Sequence, residues 1–214
     1  MPLLLSLNAL YVVALVAHMF RNNKELADDK EHRSKQPTDN YQAHMSLNYS
    51  EPRMNHLEQL TAEWYEFRGY FVRRNVQVGR RLKGGYECEL DVVAFCPNRQ
   101  HLVHVEPSMD ANTWAVREAR YAKKFSAGKK YIRDVFKGIE LPNHIEQIAL
   151  LGFASNANVK ELAGGKIVTS AQFLQEITSE IGGLKISSSA IPEQYPLLRT
   201  IQFAYQHRKA AGWH

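Results

Sequence analysis

The chain has 214 residues, 44% of them hydrophobic, with 27 Lys and Arg against 22 Asp and Glu and a net charge of +5. That length holds one good core and argues against two domains, and the apolar content rules out wholesale disorder. A sequence pI near 9.1 suits a polyanionic partner without demonstrating one. Cys88 and Cys96 lie on one expected strand, too far apart to be bridged directly. They read as small buried thiols in a reducing, cytoplasmic setting.

Residues 1–20, MPLLLSLNALYVVALVAHMF, are almost continuously apolar and just reach the ~17–25 residues of a membrane span. No basic region precedes them and no small-x-small cleavage site follows, so a secretory signal is the weaker reading. Arg21 and Lys24 come next, which would leave the remainder on the cytoplasmic side. Two readings stand level: a membrane anchor, or an upstream start codon with Met45 or Met54 as the true beginning. Residues 21–53 are polar and mixed in charge, and a disordered linker is expected there. The folded domain is expected over 54–214.

Within that domain, Leu57, Leu60, Trp64 and Phe67 recur at helical spacing and Gly69 closes the helix. Tyr70 to Val78 alternates as a strand, and a basic, glycine-containing connection follows over 80–85. An apolar hairpin is expected with strands at 86–97 and 101–107. Asp110 or Asn112 can cap a helix through TWAVREARYAKKFSAG, with Gly128 at its end. The run from Ile145 to Phe153 reads as a buried strand. A helical turn at Val159–Ala163, a strand in KIVTS, a helix in AQFLQEITSEI and a last helix in YPLLRTIQFAYQHRK complete the order. Helices flanking a mixed central sheet make a three-layer α/β domain.

The hairpin carries the chemistry. Its turn is centred on Asn98 and Arg99, so symmetric pairing sets Phe95 against Leu102, Val93 against His104 and Asp91 against Glu106. Opposed side chains lie ~4.5–5.5 Å apart at Cβ, and two carboxylates that close each resist ionisation. A shared cation removes the repulsion. Paired carboxylates with an open side suit Mg²⁺ or Mn²⁺, and such an ion acidifies a bound water beside a phosphodiester. The bland alternative is a solvated strand end with two surface acids.

From about Leu57 to Lys130 the chain resembles the PD-(D/E)XK nuclease superfamily, the restriction-endonuclease-like fold: a helix, a three-stranded meander, a crossover helix and a further strand. Matched to that pattern, Asp91 in YECELDVVAF stands for the motif aspartate and Glu106 in VHVEPS for the acid of (D/E)XK. Glu63 in AEWYEF matches the glutamate that many members carry in their first helix. The resemblance implies a Mg²⁺- or Mn²⁺-dependent endonuclease acting on nucleic acid, DNA foremost, with Asp91, Glu106 and Glu63 at the metal. The pattern is broken at Ser108, where the family has lysine. Lys123 and Lys124 are the cations that could replace it from the next helix, and they read equally well as solvated helix residues. Pro107 lacks an N–H and suits a strand end, so β pairing is expected to stop near Glu106.

Around the acids lie Arg80, Arg81 and Lys83 before the hairpin and Arg117, Arg120 and Lys124 after it. These cations could hold a phosphate backbone that the acids repel; solubility explains them equally well. His101 and His104 lack a Cys/His set suited to zinc, and His104 reads as a residue packed in the sheet. The alternatives to a nuclease are a nuclease fold that binds nucleic acid without cutting, suggested by Ser108, and a membrane-tethered interaction domain, suggested by residues 1–20.

Overall fold

The computed structural model describes residues 55–153 and 159–212, and the fold set out below is that of the compact unit Glu51–Lys209. The apolar segment 1–20 and the polar segment 21–53 lie outside the described residues. Among the described residues no helix is long and apolar enough to cross a membrane.

Asn55 opens helix α1 (His56–Phe67) by accepting the Leu57 N–H at 3.0 Å on its side chain, which satisfies one of the donors a helix start leaves free. Gly69 follows the helix at φ 81. The chain then forms a meander of β1 (Phe71–Arg80), β2 (Tyr86–Cys96) and β3 (His101–Ser108). Helix α2 (Trp114–Val135) crosses to β4 (Glu146–Leu151), and β5 (Glu161–Leu162), β6 (Gly165–Thr169) and α3 (Ser170–Ile181) come next. A short α4 (Ile186–Ser189) and α5 (Pro196–His207) finish the unit. Thr169 and Gln172 cap α3 reciprocally, the capping box legible in TSAQ.

The sheet has six strands in the order β1-β2-β3-β4-β6-β5. β4 runs parallel to both its neighbours, β3 and β6, and the β1–β2, β2–β3 and β5–β6 pairs are antiparallel. Side chains alternate across it. Val92, Val103 and Ile148 pack with Trp64, Ile177 and Leu198 of α1, α3 and α5 on one face. Val93, Phe95 and Leu102 meet Ala127 and Ile132 of α2 on the other, where Tyr121 and Phe125 also cover Ala149 and Leu151. The result is the three-layer α/β core expected from element order.

Three local expectations fail. Helix α2 does not stop at Gly128 but runs on to Val135. Gly128 is there because a Cβ at that position would collide with the His104 ring, so the glycine is a packing contact and not a stop signal. The segment expected as a helical turn is instead β5, paired antiparallel to β6 through Glu161↔Lys166 and Leu162↔Gly165. Ala163 and Gly164 at φ 52 and 76 make the tight turn. Finally, β3 continues past Glu106 through Pro107↔Leu150 and Ser108↔Leu151. Pro107 is tolerated because the β2 ladder has already ended at Val92↔Val105, leaving no β2 partner for an N–H there.

Candidate active site

The β2–β3 register sets Val93 against His104 and Phe95 against Leu102, the pairing that the turn predicts. Asp91 and Glu106 are the next residues outward, and the Asp91 N–H donates to Glu106 Oε1 at 3.3 Å. Both acids are in the wall of a cleft of about 410 Å³ shared with Asn55 and Glu58 of α1, Ser108, Asp110, and Arg120 and Lys124 of α2. Lys124 reaches down from α2 and sets its ammonium 2.5 Å from Asp91 Oδ1 and in direct contact with Glu106 Oε2. The three groups form a buried bridge of two acids around one cation.

Burial is the main influence on each group. It raises Asp91 to about 7, the neighbouring Glu106 adds to the rise, and Lys124 opposes it. Glu106 is raised by burial against the pull of Asp91's hydrogen bonds and Lys124. Lys124 would be depressed by burial, yet the two acids lift it above its ordinary value. Glu58, half-buried in the same cleft, is raised to about 7 by desolvation and then by repulsion from Asp91. The site therefore carries more carboxylate than its single ammonium neutralises, in a setting where charge is costly.

Behind Glu106 stands a polar chain that the hairpin alone did not reveal. His104 is fully buried, and its Nε2 lies 2.7 Å from Glu106 Oε1. Burial, reinforced by Lys124, drops its pKa to about 3, so the ring is neutral at physiological pH. Gln147 Nε2 donates to Phe125 O at 2.8 Å and lies 3.3 Å from His104 Nδ1. A carbonyl can only accept, which orients the Gln147 amide with its nitrogen inward. His104 Nδ1 thus accepts, Nε2–H donates, and Glu106 Oε1 is held in place. The sequence reading of His104 as a packed sheet residue is right about its burial and misses this bond.

Asp110 is not a helix cap; Thr113 holds that position without a side-chain bond. Asp110 instead draws in Ser108 and Arg120 by short hydrogen bonds. Although burial opposes its charge, these bonds hold its carboxyl down at about 2. Ser108, two residues after Glu106, also accepts from Arg120 Nη2 at 3.0 Å. Its hydroxyl is spent on this group rather than on the acids.

Among the cations proposed from sequence, Lys124 and Arg120 line the cleft. Lys123 is exposed and does not. Arg117 is also a correction: it is 4% exposed and donates to Asp110 O at 2.7 Å and Phe153 O at 2.9 Å. Its guanidinium ties the β3–α2 connection to the chain after β4, leaving little of it to meet a ligand. Arg80, Arg81 and Lys83 occupy the exposed β1–β2 tip. Cys96 is buried as expected, whereas Cys88 is only half-buried.

Glu63 is the largest correction among the acids. It is buried away from the cleft, accepting the Leu197 and Leu198 N–H groups at 2.9 and 3.1 Å and Gln59 Nε2 at 2.9 Å. It caps the start of α5. Glu58, five residues earlier and therefore about 140° around the helix, is the first-helix acid at the cleft. Glu63→Ala is expected to lower stability by ~1–2 kcal/mol in urea denaturation, with no change in any activity of the folded protein. Lost activity in fully folded Glu63→Ala would return Glu63 to the site.

Among the described residues no group of three or more His, Cys, Asp or Glu is placed to hold a metal ion. The donors present are nonetheless of one kind. Asp91 and Glu106 offer carboxylate oxygens, and Glu58 shares the cleft. A set of carboxylate oxygens gathered at one cleft fits a hard divalent cation of the Mg²⁺ or Mn²⁺ type. Comparison with family models, with curated proteins and with solved structures gave no match.

Proposed function

We propose that the chain is a divalent-metal-dependent nuclease of the PD-(D/E)XK kind, hydrolysing phosphodiester bonds of nucleic acid, DNA foremost. The observation that carries this reading is Lys124, whose ammonium bridges Asp91 and Glu106. The positive charge absent at Ser108 is supplied from the following helix. Asp91 and Glu106 would hold Mg²⁺ or Mn²⁺, which when bound supplies Lewis-acid charge and a more acidic water.

The chain's own groups have separable roles in this reading. His104, kept neutral by burial and oriented by Gln147, holds Glu106 in position through Oε1. Lys124 stabilises negative charge developing on the phosphate, in a cleft where low polarity strengthens it. Arg120 stands at the same cleft with 37% of its side chain exposed and offers a donor to a neighbouring phosphate. Arg80, Arg81 and Lys83 hold backbone further along.

The test is cleavage of single- and double-stranded DNA and of RNA in Mn²⁺, paired with calorimetric Mn²⁺ titration. Wild type is expected to cut and to bind Mn²⁺, and Asp91→Ala to do neither while keeping its circular dichroism spectrum. Equal cleavage by wild type and Asp91→Ala sinks the assignment. A second reading, a fold that binds nucleic acid without cutting it, is favoured by one feature: Lys124 already occupies the space between the acids. It predicts chelator-resistant binding with no product on long incubation, and a product band that disappears in Asp91→Ala eliminates it.

A further inference from the structure

Glu106 is 1% exposed, and its two oxygens are held by different groups. Oε1 lies 2.7 Å from His104 Nε2 and accepts the Asp91 N–H at 3.3 Å. Oε2 is sealed from solvent, and the group that touches it is the Lys124 ammonium. The same ammonium lies 2.5 Å from Asp91 Oδ1. A cation arriving from solution therefore reaches Glu106 only through the place that Lys124 fills.

Charge and access both favour an exchange at that place. Two carboxylates carry twice the charge of one ammonium, whereas one divalent ion matches them. Lys124 also has a way out. Its side chain is 21% exposed, against 2% for that of Glu106, and its flexible stem ends in a strongly hydrated charge. Arg120, one turn earlier on the same face of α2, lines the same cleft and keeps 37% of its side chain exposed. The bonds that His104 and the Asp91 N–H make to Oε1 are untouched by a change at Oε2, so Glu106 stays in position throughout.

We propose that Lys124 is a resident stand-in for the metal: its ammonium keeps the Asp91–Glu106 site closed until a divalent cation takes Asp91 Oδ1 and Glu106 Oε2 and expels it toward Arg120. The inference rests on the nuclease reading and adds a regulation to it. Closed, the site leaves no buried pair of acids without a cation. Open, it presents the ammonium beside Arg120, where a phosphate would meet it. The contact that stabilises the closed protein thus opposes metal binding, because a ligand shifts a conformation only by its differential affinity for the two states. One side chain is then both the plug of the site and, once released, a part of its working charge.

Calorimetric titration of the full chain with Mn²⁺ is the first arm of the test. Lys124→Met is expected to bind at least about tenfold more tightly than wild type. Removing a nearby positive charge would tighten binding even without displacement, so the second arm follows the ammonium itself and needs no variant. Wild type is acetylated with acetic anhydride in chelator and in saturating Mg²⁺, and each lysine is read by peptide mass spectrometry. Lys124 is expected to react at least about fivefold faster in Mg²⁺, with exposed Lys123 unchanged as the internal reference, and the response is expected to vanish in Asp91→Ala. The proposal is overturned if the metal saturates wild type while Lys124 stays protected, if Lys124→Met binds no more tightly, or if the response persists in Asp91→Ala. Each of those results leaves the nuclease reading standing. Absence of Mn²⁺ binding by both wild type and Lys124→Met at millimolar concentration removes the metal reading, and this inference with it.

Discussion

Replacing Lys124 with methionine is expected to slow Mn²⁺-dependent cleavage at least ~100-fold and to make stability depend steeply on pH. The bridge is buried: the side chains of Lys124, Asp91 and Glu106 are 21%, 12% and 2% exposed. Methionine keeps most of the stem and removes the charge. At pH 8 two carboxylates would then face each other with no cation between them, and removing one partner of a buried ion pair costs ~3–5 kcal/mol. At pH 5 the outcome differs. Asp91 already has its pKa raised to about 7 by burial and by Glu106 with Lys124 pulling it down, and without that pull both acids stay protonated to higher pH. The cost at pH 5 is therefore small. Urea denaturation of wild type and Lys124→Met at the two pH values measures the difference. An equal loss at both would show that Lys124 stabilises by packing and not by charge.

Asp91→Asn is expected to abolish cleavage and yet to make the protein more stable at pH 8. The sign follows from the direction of the shift. Asp91 rises from 3.8 to about 7 on folding, so its contribution to stability is full below about 3.8 and is lost as pH rises through about 7. Asparagine does not titrate and leaves Lys124 and Glu106 as a one-to-one pair. A gain of ~1–3 kcal/mol at pH 8, vanishing near pH 4, should appear in thermal melts across that range. Two acids held together at the expense of stability are what a functional site looks like. A variant less stable than wild type at pH 8 would mean that the Asp91 carboxylate contributes more as a partner of Lys124 than it costs by its burial and its repulsion of Glu106.

How much of this was legible beforehand depends on the distance over which each feature is decided. The pairing of Val93 with His104 needed only alternation and a short turn. The reach of α2 past Gly128 did not, because the glycine answers to His104, a residue of the facing sheet. A glycine before a polar run reads locally as a helix end, and nothing nearby corrects that reading. Glu63 and Glu58 show the same limit. Both sit on α1, and which flank of the helix turns to the cleft was settled by α5, whose first N–H groups claimed Glu63. Arg117 and Arg120 looked equivalent at helical spacing. One was drawn inward by the carbonyls of Asp110 and Phe153, and the other was left at the cleft.

By itself the sequence determined that Asp91 and Glu106 would be neighbours at the edge of a buried hairpin, since strand alternation and register leave no other arrangement once the core face is chosen. It also determined that Ser108, and no lysine, stands two residues after Glu106. Only the tertiary structure decided which cation would come in its place. Lys124 is 33 residues from Asp91 in the chain, and the angle at which α2 crosses the sheet, set by Tyr121, Phe125 and Ile132 against β2, β3 and β4, aims Lys124 at the acids and Lys123 at solvent. Local pattern sets which residues share a strand face; long-range packing sets which side chain from another element arrives there.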